Sequence, residues 1–405
     1  MLVDTIDVLS GSVFQVGWDL GRRCNYDCSY CPSHRHDNFS AHAPLAALTK
    51  NVDFLFKYID LYMTHRNLKQ ASINFTGGEP TVHPNFIQLI EHLSAEYHSR
   101  YADRWECGFT VTSNGAMSER MATAIMDNLR FITISYHAEA DAVLKRQVLD
   151  RIEQFRVQGP DKQCGLSVNV MFHAEHFDEC VDLCTLLDEK NVMYVPRIIG
   201  EEPDSPASQA HRYTESQLAW FRDYWDRDTK RANTVVTEQS PQTYSKDSAI
   251  DYDKRADAAK SQSSEKTLGN NIGRPCCGSR LMCLSNSTDS INSKFVTSRE
   301  FQGWHCSVNW FFLHLEQHSD SVYHHQTCQA RFDGTRGDIG KLSHSDAILD
   351  QLARDLQNGT MPTIICPKRT CSCGLCAPKS AHKDSYKTVI ANHIDLSVFA
   401  NSADF

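Results

Sequence analysis

The sequence has no long apolar run and no secretory signal. No hydrophobic stretch approaches the ~20 residues of a membrane-spanning helix, and the opening MLVDTIDVLSGS has neither a basic segment nor an apolar core. There is also no internal repeat of the solenoid kind. We therefore expect a cytoplasmic protein without a membrane partner.

Basic residues are also fewer than acidic residues. The 41 Lys and Arg residues face 50 Asp and Glu residues, which gives a formal net charge of -9. This balance argues against a broad nucleic-acid footprint and makes a small molecule or a peptide the expected partner. The length of 405 residues allows two to three domains.

Cysteine is abundant and unevenly placed. The 16 cysteines bunch at positions 24–31, 276–283, 306 with 328, and 366–376. Clustered thiols in a reducing compartment more often bind metal or do redox chemistry than form disulfides. The distribution favours two or more thiolate metal sites.

The first 200 residues alternate β-rich runs with amphipathic stretches. The candidate strands are 13–19, 71–77, 107–113, 130–136, 166–171 and 193–199, and the candidate helices are 51–63, 85–97, a helix capped by Asp141 that runs to about Arg156, and 176–189. This alternation predicts an α/β fold, a partial (β/α)6 TIM-like barrel over residues 1–200. In such folds the chemistry lies at the carboxyl ends of the strands.

The remaining chain changes character. Residues 201–275 are expected to be a linker, with a helix that Thr214 and Gln217 begin as a capping box and a polar connecting segment. Short strands, a hairpin and a helix at 345–357 predict a small C-terminal cysteine-rich α+β domain over residues 276–405.

Cys24, Cys28 and Cys31 follow the first strand within eight residues. Soft sulfur ligands select zinc, Cu(I) or iron–sulfur clusters. Structural zinc sites usually use two ligand pairs, whereas a compact trio leaves one corner of a 4Fe-4S cubane open to another ligand. A zinc knuckle completed by His34 or His36 is the alternative.

Gly77, Gly78, Glu79 and Pro80 follow the second strand. Two glycines let the backbone approach a ligand closely, and the carbonyls with Glu79 can accept hydrogen bonds from an amino group. Together with the cysteine spacing and Tyr30, this GGEP element resembles the signature of the radical S-adenosylmethionine (radical SAM) superfamily. The resemblance implies a SAM-binding 4Fe-4S cluster, with S-adenosyl-L-methionine held at the open iron and its methionyl ammonium at GGEP.

The resemblance also implies polar groups at the ends of later strands. Expected contacts to ribose and carboxylate come from four polar residues and two weaker candidates: Ser113, Asn114, Ser135, His137, and then Asn169 and Arg197. Each has an ordinary structural explanation too, such as turn chemistry, a core histidine or an ion pair.

The C-terminal cysteines resemble the auxiliary-cluster domains of the SPASM and twitch subgroups. Their spacing departs from the full SPASM pattern and favours a twitch domain with one auxiliary 4Fe-4S cluster, with a zinc ribbon as the alternative. The leading ligand set is Cys306, Cys328, Cys371 and Cys373, with Cys366 and Cys376 as rivals. A further group, Cys276, Cys277 and Cys283, could supply another ligand, a second cluster or active-site thiols. The isolated cysteines are expected in the core: Cys107, Cys164, Cys180 and Cys184.

The resemblance implies an enzyme. A low-potential donor such as flavodoxin or ferredoxin would drive reductive cleavage of SAM, and the resulting 5′-deoxyadenosyl radical would abstract hydrogen from substrate. Fewer than ~80 residues precede Cys24, so a peptide-recognition domain is not expected there, which favours a small molecule over a ribosomal peptide. The alternatives are a peptide-modifying SPASM maturase, a non-catalytic electron carrier and a zinc-stabilised binding protein.

Overall fold

The computed structural model describes residues 5–6, 13–31, 36–66, 69–199, 213–225, 302–324, 339–361, 363–366 and 379–384. The chain divides into two compact units, residues 1–213 with 282–405, and residues 214–281.

The described residues of the larger unit form two sheets. Their strands are β1 (Thr5–Ile6), β2 (Val13–Asp19), β3 (Gln70–Thr76), β4 (Glu106–Ser113), β5 (Phe131–His137), β6 (Gly165–Phe172), β7 (Met193–Ile198), β8 (His305–Cys306), β9 (Phe312–Glu316), β10 (Ser321–Tyr323), β11 (Gly340–Lys341), β12 (Ile364–Ile365) and β13 (Lys379–Ser380).

The main sheet has nine strands in the order β11-β10-β9-β2-β3-β4-β5-β6-β7. Strands β2 to β7 are the six predicted strands and pair in parallel with their neighbours. The described ends β7 and β11 do not pair, so the sheet is an open, partial barrel, and the predicted fold class is confirmed. The sheet is wider than predicted because β9 adds in parallel beside β2, followed by the antiparallel β10 and β11.

Residues along the strands alternate between two environments. In β3, Ala71, Ile73 and Phe75 are buried, whereas Ser72 and Asn74 between them are half-buried. Successive side chains of a strand point to opposite faces, so the apolar set packs under the helices and the small polar set lines the other face. We call the face with the small polar residues the concave face.

Helices cover the apolar face. In the larger unit they are α1 (Leu45–Arg66), α2 (Phe86–Arg100), α3 (Glu119–Asn128), α4 (Ala142–Gln158), α5 (Phe177–Glu189), α7 (Val308–Phe311) and α8 (Ser345–Asn358). The smaller unit, taken by itself, contains α6 (215–225). The four helices predicted within the first 200 residues are present, and so is the helix at 345–357. Helix α3 was not predicted, since it spans only 10 residues.

Two predicted caps are confirmed. Asp141 Oδ1 accepts hydrogen bonds from the N–H groups of Val143 (2.8 Å) and Leu144 (2.9 Å) at the start of α4. In the smaller unit, Thr214 N–H donates to Gln217 Oε1 (2.9 Å) and Gln217 N–H donates to Thr214 Oγ1 (3.3 Å), the reciprocal pair of a capping box.

The second sheet has the order β1-β13-β8-β12. Both β12 and β13 pair antiparallel with β8, one on each side. The segment 367–378 that joins them lies outside the described residues. The domain boundaries at residues 200 and 276 stay predictions.

None of the helices within the described ranges is long and apolar enough to cross a membrane.

Candidate functional site

The cysteine loop leaves the carboxyl end of β2. Its three cysteines are half-buried, and backbone hydrogen bonds hold the loop at both ends. Cys24 N–H donates to the Asp37 carbonyl at 2.8 Å, and Cys31 N–H donates to the Cys28 carbonyl at 3.0 Å. The predicted alternative ligand His36 instead lies 3.4 Å from the Asp27 carboxylate, and His34 lies outside the described residues.

The glycine loop after β3 is bonded directly to the cysteine loop. Gly78 N–H donates to the Gly21 carbonyl at 2.7 Å, and Glu79 N–H donates to the Arg23 carbonyl at 2.9 Å. Gly77 has φ +129, a conformation that side chains rarely adopt, and a Cβ on Gly78 would lie 2.4 Å from the Arg23 carbonyl oxygen. The two glycines are therefore required for the two loops to meet.

Glu79 joins the ends of β3 and β4. It is buried, and its Oε1 accepts hydrogen bonds from the Thr81 N–H (3.0 Å), the Thr81 hydroxyl (2.6 Å) and the Ser113 hydroxyl (2.8 Å). Its Oε2 accepts one from the Asn114 N–H at 2.6 Å. Burial raises the pKa of Glu79, against the opposing effect of these donors. Pro80 follows as the first residue of a short 3-10 turn.

Asn114 extends this connection to the cysteines. Its side-chain amide donates to Asn25 Oδ1 at 2.7 Å and lies 3.9 Å from the Cys24 sulfur. Asn25 in turn donates to the Ala116 carbonyl at 3.2 Å. Ser113 and Asn114 thus hold the GGEP loop and the cysteine loop against the end of β4.

The end of β5 supports the second half of the cysteine loop. Cys28 Sγ lies 3.4 Å from His137 Nδ1, and the Tyr30 hydroxyl makes a short hydrogen bond to the same nitrogen. Burial lowers the pKa of His137 to about 4, so its imidazole is neutral near pH 7. The Glu139 carboxylate accepts hydrogen bonds from the Ser29 N–H (2.7 Å) and hydroxyl (2.8 Å).

The predicted residues on β5 to β7 form a polar row on the concave face. Ser135 and Asn169 are register partners, and Arg197 Nε donates to Asn169 Oδ1 at 3.2 Å. Ser135 and Asn169 lie two residues before the level of His137 on their strands, whereas Arg197 is level with His137 through Met171.

The electrostatics of the loop suit a bound cation. The pKa of Cys24 is raised to about 11, chiefly by burial, with nearby Glu79 and Cys31 adding to the shift. Burial and Glu139 likewise raise the pKa of Cys28. Thiols must lose their protons to bind a metal, so a positive charge at their centre would offset both burial and mutual repulsion. Three soft sulfur donors on one loop fit an iron–sulfur cluster.

Sequence reasoning missed Asn25 and Glu139, the two side chains that fix the cysteine loop to β4 and to the chain after β5. Glu139 lies two residues beyond His137, where a carboxylate after a predicted strand end is a usable signal. Asn25 lies inside the cysteine motif, and no sequence pattern connects it to Asn114.

The C-terminal cysteines are only partly described. Cys306 in β8 and Cys366 after β12 are both buried. The other predicted ligands lie outside the described residues: Cys328, Cys371, Cys373 and Cys376. The same holds for Cys276, Cys277 and Cys283. The four predicted core cysteines are buried, as expected.

Comparison with known proteins matches this site to one superfamily. The model of the radical SAM superfamily matches residues 18–162, the part of the chain that carries both loops and the ends of β2 to β5. The chain therefore has a radical SAM domain over residues 18–162, and this domain indicates an enzyme.

Two curated relatives match part of the chain. The radical SAM cyclopropyl synthase TigE of Paramaledivibacter caminithermalis is 27% identical over 107 residues, 24% of this chain and 21% of that protein. The GTP 3',8-cyclase of Agrobacterium fabrum is 27% identical over 158 residues, 38% of this chain and 40% of that protein. The chain thus spans less than half the length of each.

Solved structures of anSMEcpe are among those to which the chain is similar. A tagged form with bound AdoMet has a TM-score of 0.42 and 16% identity, over 55% of this chain and 62% of that chain. A native form with bound AdoMet and a peptide has a TM-score of 0.41 and 17% identity, with the same coverage.

Proposed function

We propose that this chain binds a 4Fe-4S cluster at Cys24, Cys28 and Cys31 and cleaves S-adenosyl-L-methionine reductively. The observation that carries the proposal is the pair of backbone hydrogen bonds joining the GGEP loop to the cysteine loop. Because these bonds hold the two loops side by side, one small molecule can contact both an open iron of the cluster and the GGEP loop. The cluster, when bound, supplies the electron that releases a 5′-deoxyadenosyl radical for hydrogen abstraction from substrate.

The chain's own residues orient that ligand. Both oxygens of Glu79 accept hydrogen bonds from protein donors, so we assign Glu79 to shaping the loop. We assign binding of the methionyl ammonium to the backbone carbonyls of Gly77 and Gly78. Ser135, Asn169 and Arg197 supply hydroxyl, amide and guanidinium groups for ribose and carboxylate. Tyr30 and His137 hold Cys28 in place.

The substrate we favour is a small polar metabolite. Small polar side chains line the concave face on several strands, among them Asn74, Thr112, Thr133 and Ser167. A half-buried surface of hydroxyls and amides binds a polar ligand more favourably than it binds an apolar one. An apolar ligand would leave these groups without hydrogen bonds, and each buried polar group left unpaired costs about 1–3 kcal/mol.

An auxiliary 4Fe-4S cluster at the second sheet is part of the proposal. Ile364 pairs with Cys306, and Cys366 N–H donates to the Trp304 carbonyl at 2.9 Å. Opposed residues share a face, so Cys306 and Cys366 are diagonal neighbours on one face, roughly 7–8 Å apart. The segment with Cys371 and Cys373 starts and ends on the two strands beside β8, which supports ligands from that segment. Because of this placement, we propose Cys366 together with Cys306 as ligands of the auxiliary cluster.

The decisive experiment uses the full chain, reconstituted with iron and sulfide without oxygen. With dithionite and S-adenosyl-L-methionine we expect 5′-deoxyadenosine and methionine, and Cys28→Ser abolishes both. The matched control is Cys184→Ala, which removes a core thiol and keeps the activity. If protein with its full iron content releases no 5′-deoxyadenosine, the result favours an electron carrier. If the three sulfurs hold zinc, the result favours a zinc-stabilised binding protein.

A second measurement tests the auxiliary cluster. Wild type is expected to hold about eight iron atoms, and Cys306→Ser with Cys366→Ser is expected to hold about four while retaining the cluster at Cys24. An unchanged iron content in that double variant contradicts the proposed ligand pair. A reduced flavodoxin or ferredoxin is the proposed physiological electron donor.

A further inference from the structure

Three side chains that are distant in sequence meet at the carboxyl ends of β2 and β9. They are Asp19, His314 and Glu316, and one potential ligand atom from each lies within 4.8 Å of the others. We propose that this trio, which includes none of the three loop cysteines, binds a divalent first-row metal ion.

The parallel register of β2 and β9 builds the cluster. Asp19 is the partner of Glu316, and Gly17 is the partner of His314. Residues two apart on a strand share a face, so His314, Glu316 and Asp19 all project from the same side of the sheet. The site therefore rests on paired strands, which hold ligands more rigidly than loops do.

The Nε2 atom of His314 lacks a hydrogen-bond partner. The residue is 3% exposed, and its Nε2 is buried and makes no hydrogen bond. The nearest acidic atom, Asp19 Oδ2, is 3.5 Å away. An unbonded buried nitrogen is costly, and coordination to a metal would satisfy it.

Hydrogen bonds orient both carboxylates. The Thr76 hydroxyl makes a short hydrogen bond to Asp19 Oδ1, and the Ser319 hydroxyl donates to Glu316 Oε2 at 2.9 Å. Metal-binding carboxylates are usually held by such outer contacts. Two acidic groups in a mostly buried position also call for positive charge, which one divalent ion provides.

Gly17 keeps the histidine ring in place. A Cβ on Gly17 would lie 2.6 Å from His314 Nδ1. The ring therefore packs against bare backbone on its Nδ1 side, and its Nε2 side faces Asp19.

The donor set selects the class of ion. One imidazole with two carboxylates and no thiolate suits Mn²⁺, Fe²⁺, Co²⁺ or Zn²⁺ better than Cu(I) or an iron–sulfur cluster. Mn²⁺ is the best probe in this cysteine-rich chain, because thiols compete for zinc and bind manganese weakly.

The test measures Mn²⁺ binding to the cluster-reconstituted full chain. Binding is monitored through the decrease in the EPR signal of free Mn²⁺. We expect one Mn²⁺ per chain in wild type and an affinity at least ~10-fold lower in Asp19→Asn and in Glu316→Gln. The matched control, Glu106→Gln, changes an exposed carboxylate at the opposite end of the sheet and should bind as wild type does.

A spectroscopic measurement keeps the test independent of variant folding. Bound Mn²⁺ in wild type should show a nitrogen hyperfine coupling from one imidazole. The proposal is overturned if wild type binds no Mn²⁺, if the bound ion shows no nitrogen coupling, or if folded Asp19→Asn and Glu316→Gln proteins bind with unchanged affinity.

Discussion

Replacing Gly78 by alanine tests how the two loops of the candidate site are joined. A Cβ at this position would lie 2.2 Å from the Arg22 carbonyl oxygen and 2.4 Å from the Arg23 carbonyl oxygen. Real Cβ contacts stay above 3.0 Å, so one loop must retreat. Both obstacles are backbone atoms, which no side-chain rotation can remove. The movement breaks the bonds from Gly78 to Gly21 (2.7 Å) and from Glu79 to Arg23 (2.9 Å).

The cost follows from these two changes. Forcing atoms into a packed site costs about 1–3 kcal/mol. Each backbone hydrogen bond that is lost adds about 1 kcal/mol. We therefore expect Gly78→Ala to lower the free energy of unfolding by about 3–5 kcal/mol. Because the displaced backbone leads into Cys24, the variant should also hold less iron at the cysteine loop.

Urea unfolding and iron analysis on reconstituted protein measure both effects. The control is Gly108→Ala, where an added Cβ meets nothing within 4 Å; it should change the free energy of unfolding by less than about 1 kcal/mol. A Gly78→Ala protein with wild-type urea midpoint and iron content would refute the reasoning, and so would an equal loss in Gly108→Ala.

Three further predictions concern the scaffold. His83 Nδ1 accepts the Asn85 N–H at 3.2 Å, and burial with nearby His42 lowers the pKa of His83 to about 4 from 6.5. As the pH falls, His83 is protonated in the unfolded chain before it is protonated in the folded protein. The free energy of unfolding should therefore decrease between pH 6.5 and pH 4, and the urea midpoint of His83→Asn should decrease less than that of wild type. Equal decreases in the two proteins would contradict this. Asp141→Ala removes the cap of α4 and should cost about 1 kcal/mol by urea unfolding, whereas an unchanged midpoint would show that the cap contributes nothing. Burial raises the pKa of Cys180 to about 12, so maleimide should label it in urea but not in the native protein at pH 8, and rapid native labelling would show that this thiol is accessible.

Much of the candidate site was predictable from the sequence because its parts are local. The strand 13–19 ends at the cysteine motif, and strand Gln70–Thr76 ends at the glycines. Parallel strands place their carboxyl ends at one edge, so the two motifs had to be neighbours once both strands were predicted. The contact of Ser113 with the glycine loop and the contacts of Asn114 with both loops follow from the same rule.

Other contacts were beyond the reach of any local pattern. The strand-end carbonyls and Glu79 were expected to accept hydrogen bonds from an amino group of a ligand, and no pattern predicted that the Glu79 oxygens also accept hydrogen bonds from Thr81, Ser113 and the Asn114 N–H. A carboxylate in a motif reveals its charge but not its neighbours. The hydrogen bond of Tyr30 to His137, 107 residues apart, is of the same kind.

The sequence by itself determined the six parallel strands, most of their helices and the cysteine and glycine loops, because hydrophobic periodicity and turn chemistry act over a few residues. Only the tertiary structure decided that β9, almost 300 residues after β2, pairs beside it and brings His314 and Glu316 to Asp19. Short strands such as Phe312–Glu316 carry too little pattern to specify a partner. The pairing depends on which sheet edge remains open after the rest of the chain has packed.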